Sequence, residues 1–125
     1  MAKTVIATKN APGALGPYSQ AIKLTDFIFC SGQLGLNPAT GELVEGVKAQ
    51  AEQAMKNLKA VLEAGGSSVD KIVKTTIFLK NIGDFPVVNE AYGSFFPGDK
   101  PARSTVEVAA LPKGGLVEIE AIATC

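Results

Sequence analysis

Apolar residues recur along this chain with two different periods, and the switches between them mark its elements. Residues 3–8, 18–24 and 27–33 alternate or run apolar in short strand-length stretches. Residues 9–17 between the first two stretches hold two prolines and two glycines, a loop composition. Thr25-Asp26 is a turn candidate, so the second and third strands read as an antiparallel hairpin. Asn37-Pro38-Ala39-Thr40-Gly41 is turn chemistry again. The period then changes: Val47, Ala51, Ala54, Met55, Leu58, Val61 and Leu62 form one stripe at helical spacing. Gly65-Gly66 closes that helix. Residues 71–80 (KIVKTTIFLK) are rich in β-branched side chains and predict a strand. A second helix starts at Asp84, a plausible N-cap, tolerates Pro86 in its first turn, and presents Val88, Ala91, Tyr92 and Phe95. Pro97-Gly98 ends it.

Residues 101–120 (PARSTVEVAALPKGGLVEIE) hold two more strands, each with its charges on one face. In the first, Arg103, Thr105 and Glu107 oppose Ala102, Ser104, Val106 and Val108. In the second, Glu118 and Glu120 oppose Val117, Ile119, Ala121 and Ala123. Such alternation usually means a solvated sheet face; a polar cluster in a cleft is the sharper alternative.

The order β-β-β-α-β-α-β-β is an α+β pattern, read as one domain over residues 1–125. Strand–helix–strand occurs twice, so the third, fourth and fifth strands should run parallel through right-handed crossovers. A mixed sheet with two helices on one face leaves its other face bare. If the helices cover Ile28, Cys30, Val73, Ile77, Val106, Val108, Val117 and Ile119, the bare face carries Phe29, Ser31, Phe78, Arg103, Thr105, Glu118 and Glu120. That mixture suits neither water nor a dry core. It fits a subunit interface with polar pockets, and so a closed homo-oligomer.

Twelve basic and twelve acidic residues give a formal net charge of zero, unlike a nucleic-acid binder. Cys30 and Cys125 are too few for a disulfide framework or a zinc site. The N-terminus is not a secretory signal, because Lys9 and Pro12 interrupt its apolar run. No stretch reaches membrane-spanning length. A cytoplasmic protein is expected. The chain contains no histidine, so His-activated nucleophiles are excluded and acid–base work must fall to a carboxylate, Tyr, Lys, Cys or bound water.

GPYSQA (16–21), SGQ (31–33), VNEAY (88–92) and above all PARSTVEVAALPKGGLVEIEAIA resemble the Rid family of enamine/imine deaminases, of RidA type. The resemblance covers nearly the whole chain. It implies a chorismate-mutase-like fold assembled as a homotrimer, with the last strand inserted between earlier ones and pockets between subunits. It also implies hydrolysis of 2-aminoacrylate-type enamines, or their imines, to 2-oxo acids and ammonia, with no cofactor or metal. By similarity Arg103 would bind the substrate carboxylate and Glu118 would position or activate water. Tyr18, Ser31, Gly32, Asn89 and Thr105 match positions lining the family's pocket. Thr105 stands where many members carry cysteine, which removes a thiol from the site.

The residue types suit that chemistry on their own terms. A guanidinium grips a carboxylate through two parallel hydrogen bonds. An imine carbon is already electrophilic, so a water aimed by a carboxylate suffices. Burial would raise the pKa of Glu118 and a nearby Arg103 would lower it. Glu120 shares its parity and is the other candidate base. Arg103 could instead form a structural ion pair with Glu107, Glu118 or Glu120, and Ser31-Gly32 could mark a bulge. Cys30 reads as inert core. Two other functions compete: a non-catalytic module binding a small carboxylate, and a ribonuclease or translation inhibitor.

Overall fold

A computed structural model of the chain describes residues 2–125. The elements are β1 (Lys3–Ile6), β2 (Ala21–Leu24), β3 (Phe27–Leu34), α1 (Val47–Ala64), β4 (Ile72–Leu79), α2 (Phe85–Gly93), β5 (Ala102–Glu107) and β6 (Val117–Thr124). They form one six-stranded sheet in the order β1-β2-β3-β6-β4-β5. β6 lies between β3 and β4 and runs antiparallel to both, while β4 and β5 are parallel. β3, β4 and β5 therefore share a direction, as the two strand–helix–strand units require, but β3 and β4 are not neighbours.

α1 has the bounds that its stripe predicts, and Ala51, Ala54, Met55, Leu58, Val61 and Leu62 are buried. It packs on β3 and β6 and against α2, so both helices cover one face. Its end is a Schellman motif: Ser67 N–H donates to the Leu62 carbonyl at 2.9 Å and Gly66 N–H to that of Glu63 at 3.1 Å. Gly66 takes φ 83°, a left-handed conformation that favours glycine. α2 stops at Gly93, before Pro97; the chain tightens into three-residue turns and buries Phe96. Asp84 precedes α2, but its side chain makes no capping bond.

Two buried amides fall outside the apolar stripe of α1. Asn57 donates to the carbonyls of Leu34 and Leu36, where β3 ends. Gln50 donates to the Val44 carbonyl and accepts from Leu116 N–H, just before β6. Each satisfies backbone groups that would otherwise be buried without partners. Together they fix the chain segments on either side of Glu118.

The face assignment of β5 needs correction. Its register sets Arg103 beside Thr75 and Thr105 beside Ile77, and Thr75 and Ile77 are buried under the helices. Arg103 and Thr105 thus lie on the covered face, and Val106, 43% exposed, lies on the open one. Lys74, on the open face, donates to Ser104 at 2.9 Å, as the corrected parity demands. Val73 is also 43% exposed, because a bulge between Ile72 and Lys74 shifts the register with β6. Glu118 and Glu120 pair with Phe78 and Thr76 and do belong to the open face, with Phe29. Among the described residues no helix is long and apolar enough to cross a membrane.

A candidate active site in two halves

Glu118 projects from the second position of β6 beside a bulge in β3. The register between these strands shifts between Cys30 and Gln33, so Ser31-Gly32 does mark a bulge. Gly32 leaves room for the Glu118 carboxyl: a Cβ on it would lie 2.9 Å from Cδ of Glu118 and 3.1 Å from Oε1, so any larger residue displaces that side chain. Burial, and secondarily the charge of Glu120, push the Glu118 carboxyl above the usual carboxylate range. Of the opposing effects weighed from sequence, only the raising one operates within this chain. Glu120 itself is exposed.

Glu118, Gly32 and Tyr18 line one cavity of about 190 Å³, walled further by Pro12, Leu15 and Lys113. The loop carrying Tyr18 is held by Gln20, which is buried. Its amide donates to the carbonyls of Thr8, Ala11 and Pro12, and its oxygen accepts from Thr8 N–H. The Gln20 carbonyl accepts from Ser31 N–H at 2.9 Å, and the Ser31 hydroxyl donates to the Ser19 carbonyl at 2.7 Å. Ser31 therefore ties the loop to the bulge. Lys113, in a left-handed conformation at φ 58°, donates to the Gly41 carbonyl and roofs the same cavity.

Arg103 and Asn89 line a second cleft, of about 450 Å³, with Tyr92, Lys100 and Pro101. The guanidinium carbon lies 5.3 Å from the ring centre of Phe85 and 5.2 Å from that of Tyr92. Two aromatic faces thus hold the planar cation on the flank of α2. The Tyr92 hydroxyl shares a 2.7 Å hydrogen bond with buried Thr75, which fixes that ring. Burial raises the Tyr92 pKa; the bond to Thr75 and the charge of Arg103 act the other way. The structural ion pair considered for Arg103 is not what holds it: Glu107 accepts from Ile82 N–H instead. Thr105 sits two residues along on the same face, with its hydroxyl oxygen buried and without a hydrogen-bond partner.

The sequence-derived residues thus fall into two groups. Tyr18, Gly32 and Glu118 line one cavity with Ser31 beside it, Asn89 and Arg103 line another, and Thr105 lies two residues along β5 from Arg103, outside that lining. Arg103 is on the covered face of the sheet and Glu118 on the open face, so one copy of the chain does not bring them together. Sequence reasoning missed Phe85, Lys100 and the clamp by Gln20. The i, i+7 spacing of Phe85 and Tyr92 along one side of α2 was the available signal for the ring pair. Burial pushes the Cys30 thiol up to about 12, which leaves it protonated and inert.

Known proteins are similar to this chain over nearly its whole length. The family described as endoribonuclease L-PSP matches residues 8–125. Reactive Intermediate Deaminase A, chloroplastic, of Arabidopsis thaliana is 53% identical over 98% of this chain and 66% of its own. A 2-iminobutanoate/2-iminopropanoate deaminase of Mus musculus is 51% identical over 97% of this chain and 90% of its own. The crystal structure of E. coli TdcF with bound serine superposes with a TM-score of 0.95 at 44% identity, covering 98% of each chain.

Proposed function

The chain belongs to the endoribonuclease L-PSP family, and on that premise we propose that it works as a deaminase whose active site is completed by a second copy of itself. The reaction is hydrolysis of 2-iminopropanoate- and 2-iminobutanoate-type imines, and of the enamines that tautomerise to them, to 2-oxo acids and ammonia. One observation carries the reading of the site: Arg103 is steadied by two rings beside an open cleft, and no acidic side chain among the described residues lines that cleft. A guanidinium so held, with its donors unspent on a carboxylate of the protein, is prepared for a carboxylate from outside.

The residues then divide the work. Arg103 takes the substrate carboxylate through its fork and fixes the plane of the imine. Asn89 lines the same cleft and offers an amide to the substrate's polar atoms. Glu118 of the adjoining copy holds water against the imine carbon. Its raised pKa suits a base near neutral pH better than an ordinary carboxylate would. Water oxygen bonds to carbon, the C=N electron pair moves to nitrogen, and Glu118 takes the proton. Returning that proton to nitrogen makes ammonia a leaving group, and the C–N bond breaks as Glu118 takes the hydroxyl proton and the carbonyl forms. No covalent nucleophile is required, which fits a chain without histidine.

The open sheet face supports assembly. Phe27, Phe29 and Val106 are exposed there in an area that also carries Lys74 and Glu120, a composition suited to contact between copies. Three copies in a ring would repeat one Arg103-to-Glu118 junction three times. The ribonuclease reading draws on the family's description, but the zero net charge and the missing histidine count against it.

Complementation tests both the chemistry and the assembly. Arg103→Ala and Glu118→Gln should each abolish the acceleration of imine hydrolysis when alone. Refolded together in equal amounts, they should recover about a quarter of wild-type activity, because random mixing pairs an intact Arg103 with an intact Glu118 at that frequency in a ring. Two inactive variants that stay inactive on mixing would place the two residues in one copy or in no common site.

A further inference from the structure

The Arg103 cleft carries one positive charge more than a small monocarboxylic substrate uses. Lys100 lines the cleft three residues ahead of Arg103, before β5 begins. Its ammonium donates to the carbonyls of Phe96 and, at 3.3 Å, of Gly98. Those bonds pin the head group at the turn that follows α2, leave one of its three N–H groups free, and do nothing to neutralise it. Among the described residues no acidic side chain lines the cleft.

Resting on the deaminase reading, we propose that Lys100 receives a second carboxylate, and that imines of dicarboxylic amino acids are substrates of this site. The charges decide the point. The electrophile that water attacks is the protonated imine, and a monocarboxylic iminium is neutral overall. Within the Arg103 cleft a single substrate carboxylate answers Arg103 and leaves the charge of Lys100 unanswered. A distal carboxylate answers it, while Arg103 keeps the carboxylate next to the imine carbon. The bonds made and broken are unchanged: water adds to the C=N carbon, ammonia leaves, and a 2-oxo dicarboxylic acid results. The reactions that supply such substrates are two-electron oxidations of the α-amine of dicarboxylic amino acids.

Imines made in situ from aspartate and from alanine by amino-acid oxidases, with semicarbazide capture of the surviving imine, provide the test. Wild type, Lys100→Met and Lys100→Arg are compared. Affinities of the product acids, oxaloacetate and pyruvate, are measured on the same proteins by calorimetry. Lys100 is exposed, so Lys100→Met should lower the aspartate-to-alanine ratio of kcat/KM about threefold, as loss of a solvent-facing charge pair would. It should lower the oxaloacetate-to-pyruvate affinity ratio in the same sense, and Lys100→Arg should preserve both. Unchanged ratios in Lys100→Met, or equal losses for both substrates, would make Lys100 a cap on the turn after α2 and overturn the proposal. Failure of the deaminase reading looks different: wild type would consume neither imine faster than buffer. The affinity ratio would then still decide for or against Lys100.

Discussion

Replacing Gly32 with alanine adds one methyl group at the closest approach between β3 and Glu118. That carbon would sit 2.9 Å from Cδ, 3.0 Å from Cγ and 3.1 Å from Oε1 of Glu118. Non-bonded carbons rest at about 3.5–4.0 Å, so the carboxyl must move by at least about 0.6 Å. Gly32 does not occupy the left-handed region, so the backbone accepts alanine and the strain falls on the side chain. Glu118 is only half-buried and can swing away, which limits the loss of stability to about 1 kcal/mol. Catalysis is less forgiving: displacement of a reacting group by about 1 Å costs on the order of a hundredfold. Gly35→Ala is the contrast. Its Cβ would lie 2.5 Å from Cα and 2.6 Å from the carbonyl oxygen of Gln50, backbone atoms of a packed helix. That variant should lose roughly 3 kcal/mol or more of stability. The assay is consumption of the imine that threonine dehydratase releases from serine, followed by semicarbazide capture, beside thermal melting. If Gly32→Ala keeps kcat/KM within about twofold of wild type, the position of Glu118 against Gly32 has no part in the reaction.

The other predictions concern charge. Activity should rise with pH through a limb above the ordinary carboxylate range, since Glu118 must be ionised and its pKa is raised; Glu120→Gln removes the second cause and should move that limb to lower pH in a kcat/KM profile. Because the folded chain holds the Glu118 proton more tightly than the unfolded chain, this group lowers stability as pH rises from the unfolded carboxylate pKa through the folded one. Glu118→Gln should therefore raise the melting temperature at pH 7 and leave it unchanged well below the ordinary carboxylate range; a variant that melts lower at pH 7 contradicts the sign. Arg103→Lys keeps the charge but loses the fork and the stacking on Phe85 and Tyr92, and kcat/KM should fall on the order of a hundredfold in steady-state assays.

Where the sequence was a sound guide, one dominant force decided each element. The stripe from Val47 to Leu62 buries as a unit, and its period could mean only a helix. The strands followed from β-branched runs, and the direction of β3, β4 and β5 from the crossovers between them. Insertion of β6 between β3 and β4 is a long-range pairing that no local pattern encodes; the family resemblance supplied it. The face of β5 was misjudged for a physical reason. Assigning faces by polarity presumes that one side of a sheet is dry and the other wet. Here the open side carries Phe29, Phe78 and Val106, and the helix side carries Arg103. Val106 therefore looked like core and Arg103 like surface.

The same inversion explains why the candidate site was legible as a set of residues but not as a place. The motif around Arg103 and Glu118 suggested that they share a cleft, and alternation within β5 and β6 appeared to put them on one face. Register with Thr75 and Ile77 sends Arg103 to the other side, against Phe85 and Tyr92. A cation on the covered side of a sheet would be costly if it were enclosed; at the flank of α2, with two rings for walls and an open cleft beyond, it keeps its solvent-facing donors. Each half of the proposed site is thus held by its own elements and is chemically incomplete. Among the described residues, Lys113 but no guanidinium lines the cavity of Glu118, and no acidic side chain lines the cleft of Arg103. A chain that builds both halves and keeps them apart can join them only by meeting another copy, and that physical requirement is what the mixing of two inactive variants measures.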